Sequence, residues 1–450
     1  MRKLFNGVFI AALSLAVACK KDTPVAQPVT LTVKVSYNTE DKALNLPVEK
    51  SKVTISNNTN GQTYNAETNA QGEAVFQSIA PGNYSATVTL SFTAANYTQI
   101  TGIPVTQDVQ FNSSKTGTAI TQNTSFEMVL SSGRIGNLVI KQLYYAGSHT
   151  SRGASFRDQF VEIYNNSNEV IYMDSLYIGN GQANNTKLSA GGVPFDWSKS
   201  IDMPTNIGNP TKDYVYARYL FMIPGTGKQY PLNPGESMVL AQTGINHGQI
   251  YNDQNGDQIS IIDPTLTVDL SNAAFETNLV EYNRAQATDP TKFKPYRYDL
   301  DNPAVKNMEV VYAGTYNDWV FDATGREDLF IFKTNEDPRK WKSYPDPEVL
   351  PGDLKPDTKH FPQIPARYIL DAMEIIHAVP ASRIPKRLQD ALDAAGVSVT
   401  GGQYSSQSLV RKTLKTVNGR RILQDTNNSA NDFVTKTKAD PSRTAASFEP

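Results

Sequence analysis

The chain has 450 residues, with 42 basic and 44 acidic side chains and a formal charge of −2. That balance excludes a broad basic face for nucleic acid, and four histidines leave little material for a histidine-rich metal site or proton relay. The length suits two or three domains, and the many Asn, Thr, Ser, Gln and Tyr residues suit turns and strand faces.

At the start of the chain, Arg2 and Lys3 precede an apolar run from Leu4 to Ala18, which ends in Ala16-Val17-Ala18 just before Cys19. A basic flank, a short apolar stretch and small residues at its end read as a secretory signal peptide over residues 1–18. The run falls short of the ~20 apolar residues that a bilayer span needs. Cys19 is the sole cysteine and cannot form an internal disulfide. Its setting resembles a bacterial lipobox, with Ala16 where Leu is usual. That resemblance implies lipidation of Cys19 and an outer-membrane lipid anchor, facing the periplasm or the cell surface. Each buried CH₂ of an acyl chain contributes ~0.8 kcal/mol to such anchoring. Residues 19–28 then form a lipidated tether, and Lys20-Lys21-Asp22 resemble the mature start of Bacteroidota lipoproteins.

From 29 to 131 the chain reads as an all-β domain. Thr30–Tyr37, Lys52–Ser56, Gln62–Glu67, Glu73–Phe76, Tyr84–Ser91, Val105–Phe111 and Thr124–Leu130 are strand candidates. Turn residues separate them at the spacing of a β-sandwich. Gly72 offers the positive φ of a tight hairpin, and Pro81-Gly82 fits a type II turn. Val75, Ile79 and Tyr84 are expected to share a core. The stretch Thr68–Val88 resembles the carboxypeptidase-regulatory-like, or transthyretin-like, module. The resemblance implies a spacer or docking domain and carries no activity.

A second unit is expected over 138–435, with a C-terminal tail over 436–450. Leu138–Tyr145 is a strand candidate. Phe160–Tyr164 alternates, Asn165–Asn168 turns, and Val170–Ile178 returns, which reads as a β-hairpin. Phe160-Val161-Glu162-Ile163-Tyr164-Asn165 resembles the lamin-tail domain, an immunoglobulin-like sandwich. Tyr230–Leu240 and Asp425–Phe433 resemble two later segments of that fold, and in it Glu162 and Asp174 look structural, bonding turn amides. Between the matches lie insertions at 181–228, 284–304 and 334–362. Long loops in a compact domain are often functional. Tyr368–Ile376 fits a helix stripe and a buried strand alike, and the lamin-tail resemblance implies a strand; Arg383–Ala395 reads as a helix closed by Gly396. The fold class is therefore mainly β, with two immunoglobulin-like sandwiches, the second carrying long loop and short helical insertions. The order of the whole chain resembles an uncharacterised family of Bacteroidota lipoproteins.

No nucleophile, metalloprotease or phosphate-loop motif occurs. Asp253, Asn255 and Asp257 space oxygens as in a calcium loop, but Pro264 stands where an EF-hand requires Glu. A hairpin turn on Asn255-Gly256 is the better reading. No cofactor is expected. Asp174-Ser175-Leu176 also resembles a short Bacteroidota O-glycosylation sequon. Trp197, Tyr296, Tyr298 and Trp341 are the ligand-binding candidates. Exposed loop aromatics suit sugar stacking or a protein interface, although any single one more readily closes a small satellite core under its loop. The expectation is a non-catalytic envelope lipoprotein, a binding or accessory component of an outer-membrane uptake system. By resemblance its partner would be a TonB-dependent transporter or a glycan. A glycan-acting hydrolase or an adhesin is the alternative.

Overall fold

The computed structural model describes residues 27–37, 42, 44–58, 60–101, 109–134, 138–167, 169–314, 317–417 and 419–449. The expected signal peptide, Cys19 and the first part of the expected strand 105–111 lie outside them.

Strict alternation organises the first unit. β1 (Val29–Tyr37) buries every second residue, because successive side chains of a strand point to opposite faces. It is followed by β2 (Lys52–Asn57), β3 (Thr63–Glu67), β4 (Glu73–Ile79), β5 (Gly82–Phe92), β6 (Val109–Ile120) and β7 (Thr124–Arg134). Their hydrogen-bonded order is β3-β2-β5-β6-β7-β1-β4. β7 runs parallel to β1 over Thr124–Leu130, then pairs with β6 over Ser131–Arg134. It thereby passes from one layer to the other and closes a core of Leu31, Val33, Ile55, Phe76, Tyr84, Val88 and Phe111.

Two expectations for this unit are corrected. Val75 is 46% exposed and leaves the core to Ala74 and Phe76. Ser78 takes φ +56°, and the pairing slips between Val29 opposite Ile79 and Leu31 opposite Phe76. That bulge reverses the facing of Ile79 relative to its neighbours. Gly82 is not among the positive-φ glycines, so Pro81-Gly82 forms no type II turn. A Cβ on Gly82 would meet the Asn57 side-chain amide nitrogen at 2.7 Å. Gly72 does adopt φ +78°. A helix, Ala94–Thr101, was not foreseen; only Tyr97 in it is buried.

The second unit stacks two seven-stranded sheets. One orders Ser343–Tyr344, Phe361–Pro365, Tyr214–Met222, Leu176–Gly181, Glu327–Lys333 and Ile369–Ile375, with Glu309–Ala313 also on Tyr214–Met222. The other orders Lys306–Asn307, Phe275–Glu276, Ser237–Ala241, Phe160–Asn165, Leu138–Tyr144, Ser408–Arg411 and Phe433–Lys436. Between them lie Leu138, Ile140, Val161, Ile163, Ile178, Phe221, Leu240, Leu329, Ile331 and Met373. The molecule is thus mainly β and of the immunoglobulin-like sandwich class.

Central strands here are buried on both faces. All residues of Leu138–Tyr144, Phe160–Asn165 and Leu176–Gly181 are buried. The outer faces are covered by the insertions and the C-terminal segment. Trp197, Tyr344 and Phe361 pack on Tyr216 outside one sheet. Phe448 meets Tyr164 edge-on, with ring centroids 5.9 Å apart, outside the other.

The expected hairpin is not formed. Phe160–Asn165 pairs with Leu138–Tyr144 and Ser237–Ala241, whereas Leu176–Gly181 pairs with Tyr214–Met222 and Glu327–Lys333 in the opposite sheet. The Asn165 amide donates to Glu169 O and Leu232 O, steering the chain across the sandwich edge. A polar turn serves a crossover as well as a hairpin, so local pattern could not separate them. Ile369–Ile375 is the expected strand. Residues 383–395 are turns rather than a helix. Glu374 accepts from Arg387 N and Leu388 N, and Asp393 from Glu374 N and Ser429 N. Glu374 thus holds two backbone amides of this segment that a helix ladder would have paired, while Asp393 ties the segment to its neighbours.

Candidate functional site

Antiparallel pairing sets the end of one strand beside the start of its neighbour. Phe160 stands opposite Ala241, so Asp158 and Gln159 lie beside Gln242, whose N–H donates to Gln159 O at 3.0 Å. The Gln159 side chain then clamps a third segment. Its Nε2 donates to Tyr145 O and Phe321 O, and its Oε1 accepts from Phe321 N. This fixes Asp318 over Gln242, whose Nε2 donates to Asp318 Oδ2 at 2.9 Å. The insertion at 284–304 supplies a fourth segment. Asp299 Oδ2 accepts from Leu279 N at 2.9 Å, while Tyr296 and Tyr298 meet edge-on with centroids 5.7 Å apart. The Arg157 guanidinium lies over the Tyr298 ring at 3.4 Å.

This end of the sandwich is unusually polar. Asp318, Asp299, Gln242 and His247 are buried, with at most 3% exposure; Arg157, Tyr251, Tyr296 and Tyr298 are half-buried around them. Asp318 Oδ1, Asp299 Oδ1, Gln242 Oε1, His247 Nδ1, Arg157 Nε and Tyr251 Oη find no hydrogen-bond partner among the described residues. An unpaired buried polar group costs ~1–3 kcal/mol. Native interiors hold few of them, and a concentration in one place calls for a functional explanation.

Electrostatics agree. Burial, with the nearby Asp318 charge, pushes the Asp299 carboxyl up to about 8. Burial pushes Asp318 up to about 7, against the Gln242 hydrogen bond and the Arg157 charge, which lower it. Glu276, three residues before Leu279, is pushed up to about 7 by burial. Burial holds the His247 ring down to about 4, which keeps it neutral. Perturbed carboxyls gathered in one place are characteristic of binding and catalytic sites.

The residues singled out from sequence are scattered by the fold. Tyr296 and Tyr298 belong to this cluster. Trp197 is 6% exposed and stacks on Tyr216 at 3.6 Å in a satellite core. Trp341 is half-buried on the far sheet, stacked between Phe332 at 5.9 Å and Tyr368 at 5.7 Å. Asp253 and Asp257 flank a hairpin in which Asp253 Oδ1 accepts from Asn255 N and Asp257 N. Asp253 Oδ2 takes the Arg297 Nε at 2.7 Å, so an arginine occupies the place a cation would need. No cluster of three His, Cys, Asp or Glu side chains suited to a metal occurs among the described residues. Asp174 bonds turn amides as expected, accepting from Gly227 N, Gln229 N and Tyr230 N. Glu162 does not. It is fully buried, pairs with Lys141 Nζ at 2.7 Å, and accepts from Gln142 Nε2 and Ser237 Oγ.

Arg157, Gln242, His247, Tyr251, Asp299 and Asp318 escaped sequence reasoning. They come from four separated segments and form no motif. The one usable signal was the insertion ending KPYRYDLDNP, which contains Tyr296, Tyr298 and Asp299.

Comparison with known proteins bears on the fold. No curated protein matches the chain. Among solved structures, a DUF4876 family protein from Bacteroides thetaiotaomicron VPI-5482 matches with a TM-score of 0.52 and 23% identity, over 94% of this chain and 98% of that one. A DUF3823 family protein from Bacteroides ovatus ATCC 8483 gives a TM-score of only 0.14 at 12% identity, over 45% of this chain and 94% of that one, too slight to bear on the argument. Residues 233–440, which supply Gln242, His247, Tyr251, Asp299 and Asp318, match the family described as protein of unknown function (DUF4876).

Proposed function

We propose that the protein is a non-catalytic envelope lipoprotein, held to the outer membrane through an acylated Cys19, that binds a small polar ligand for an uptake system. The carboxypeptidase-regulatory-like unit spaces the lamin-tail-like sandwich from the membrane. The polar end of that sandwich is the ligand site, and a TonB-dependent transporter is the partner to which the ligand passes. The observation that carries this reading is the group of partnerless buried polar atoms on Asp318, Asp299, Gln242 and Arg157. Ligand sites take this form, with a few convergent polar groups set among aromatic rings. Native mass spectrometry after incubation with a small-molecule extract tests it. The wild type should retain an adduct that Asp318→Asn loses; equal spectra for the two proteins would end the reading.

One observation favours a second reading. Asp299 and Asp318 are two carboxyls with raised proton affinity near one another, the pairing a glycan hydrolase uses. Release of reducing sugar that Asp318→Asn abolishes would select it.

A further inference from the structure

The partnerless atoms are not an even mixture. Gln242 Oε1 only accepts hydrogen bonds, as do Asp299 Oδ1 and Asp318 Oδ1 once their carboxyls are ionised. His247 Nε2 lies 3.1 Å from Thr243 O, which assigns the ring proton to Nε2 and leaves Nδ1 a fourth acceptor. Against them stand two donors, Arg157 Nε and the Tyr251 hydroxyl. The acceptors sit deep, while the guanidinium lies half-buried on Tyr298 and makes no ion pair within 4.0 Å among the described residues. A matching ligand brings several N–H donors inward and an acceptor outward.

Charge narrows the choice. A neutral polyol would leave the guanidinium without a counter-charge, and it would do nothing to favour ionisation of Asp299 and Asp318, which burial holds largely protonated near neutral pH. A simple anion would face Asp299 and Asp318. A bare metal ion would meet no set of three suitable ligands. An ammonium carries three donors, and a carboxylate is the bidentate partner of a guanidinium.

We infer that this site receives a small zwitterion of the α-amino-acid class, its ammonium among Asp299, Asp318 and Gln242 and its carboxylate on Arg157. The inference rests on the reading of this cluster as the ligand site. Tyr296 and Tyr298 flank the bound backbone, and the ligand's side chain is left to select among amino acids.

Equilibrium dialysis of the full-length protein tests it, with three probes: a mixture of the twenty proteinogenic amino acids, their N-acetyl derivatives, and D-glucose. At least one amino acid should be retained at least tenfold over its N-acetyl form. Arg157→Gln and Asp318→Asn should each cut that retention at least tenfold while the protein still melts cooperatively. Absence of retention, or equal retention of the acetylated forms, overturns the zwitterion. Glucose retained by the wild type and lost in Asp318→Asn overturns the zwitterion but leaves the ligand site standing. Retention that neither substitution alters overturns the site as well.

Discussion

A single carboxyl, Asp318, exposes the tension at the polar end of the sandwich. In the folded chain burial raises its proton affinity to about 7, whereas an unfolded aspartate titrates near ~3.9. The native state therefore binds more protons over that interval. The stability Asp318 contributes is complete below pH ~4 and is lost as pH rises through about 7. Relative to wild type, Asp318→Asn should gain about 2–4 kcal/mol between pH 4 and pH 8, read by urea unfolding at several pH values. A pH-independent difference between the two proteins would contradict this. Trp197 makes the opposite case. It is stacked on Tyr216 and buried, so Trp197→Ala should cost about 3–5 kcal/mol. The same substitution should leave amino-acid retention in dialysis unchanged; a loss of retention in a folded Trp197→Ala protein would move the site.

Strands and their cross-links carry the rest of the stability. Arg411, from Ser408–Arg411 in one sheet, reaches Asp371 of Ile369–Ile375 in the other at 2.5 Å, and also pairs with Asp425 at 3.2 Å and Asp432 at 3.5 Å. Its Nε donates to Ile140 O. All four charged side chains are at most 2% exposed. Burial raises Asp371 to about 7 and Asp432 to about 6 even against the pull of Arg411. Removal of the one cation would strand three carboxyls, so Arg411→Met should cost about 3–5 kcal/mol in urea unfolding; a loss under ~1 kcal/mol would show that the acids are held neutral without it. Elements of this kind were unevenly legible in the sequence. The alternation of Phe160 to Tyr164 announced a strand because pleat geometry is local, whereas the apolar run Tyr368–Ile376 fits helix and strand alike and pointed to a strand only through its resemblance to the lamin-tail fold. The partners of those strands were not announced. The turn at Asn165–Asn168 is polar whether the chain doubles back or crosses to the facing sheet. Leu388, Leu392 and Ala395 recur at helical spacing, yet Glu374, from outside the segment, captures Arg387 N and Leu388 N. The polar cluster was least legible of all. Arg157, Gln242, Asp299 and Asp318 meet only because strand pairing sets their segments at one end of the sandwich. Only Tyr296 and Tyr298 stood out beforehand, as aromatics in an insertion.

At the scale of the whole molecule, two β units follow one another on a chain whose first residues read as an export signal and an acylated cysteine. Among the described residues no helix is long and apolar enough to cross a membrane. In the proposed arrangement the lipid on Cys19 supplies the membrane attachment, and the polar end of the second sandwich meets ligand and transporter. Affinity purification after mild solubilisation should bring down a TonB-dependent transporter, and recovery of no envelope protein would remove that partner. The tether itself is tested most directly by intact-mass spectrometry of the native protein extracted from membranes. The expected chain begins at Cys19 with the added mass of diacylglycerol and its acyl chains, and a Cys19→Ser protein carries none of that mass. A membrane-free chain with an unmodified thiol at Cys19 would contradict it.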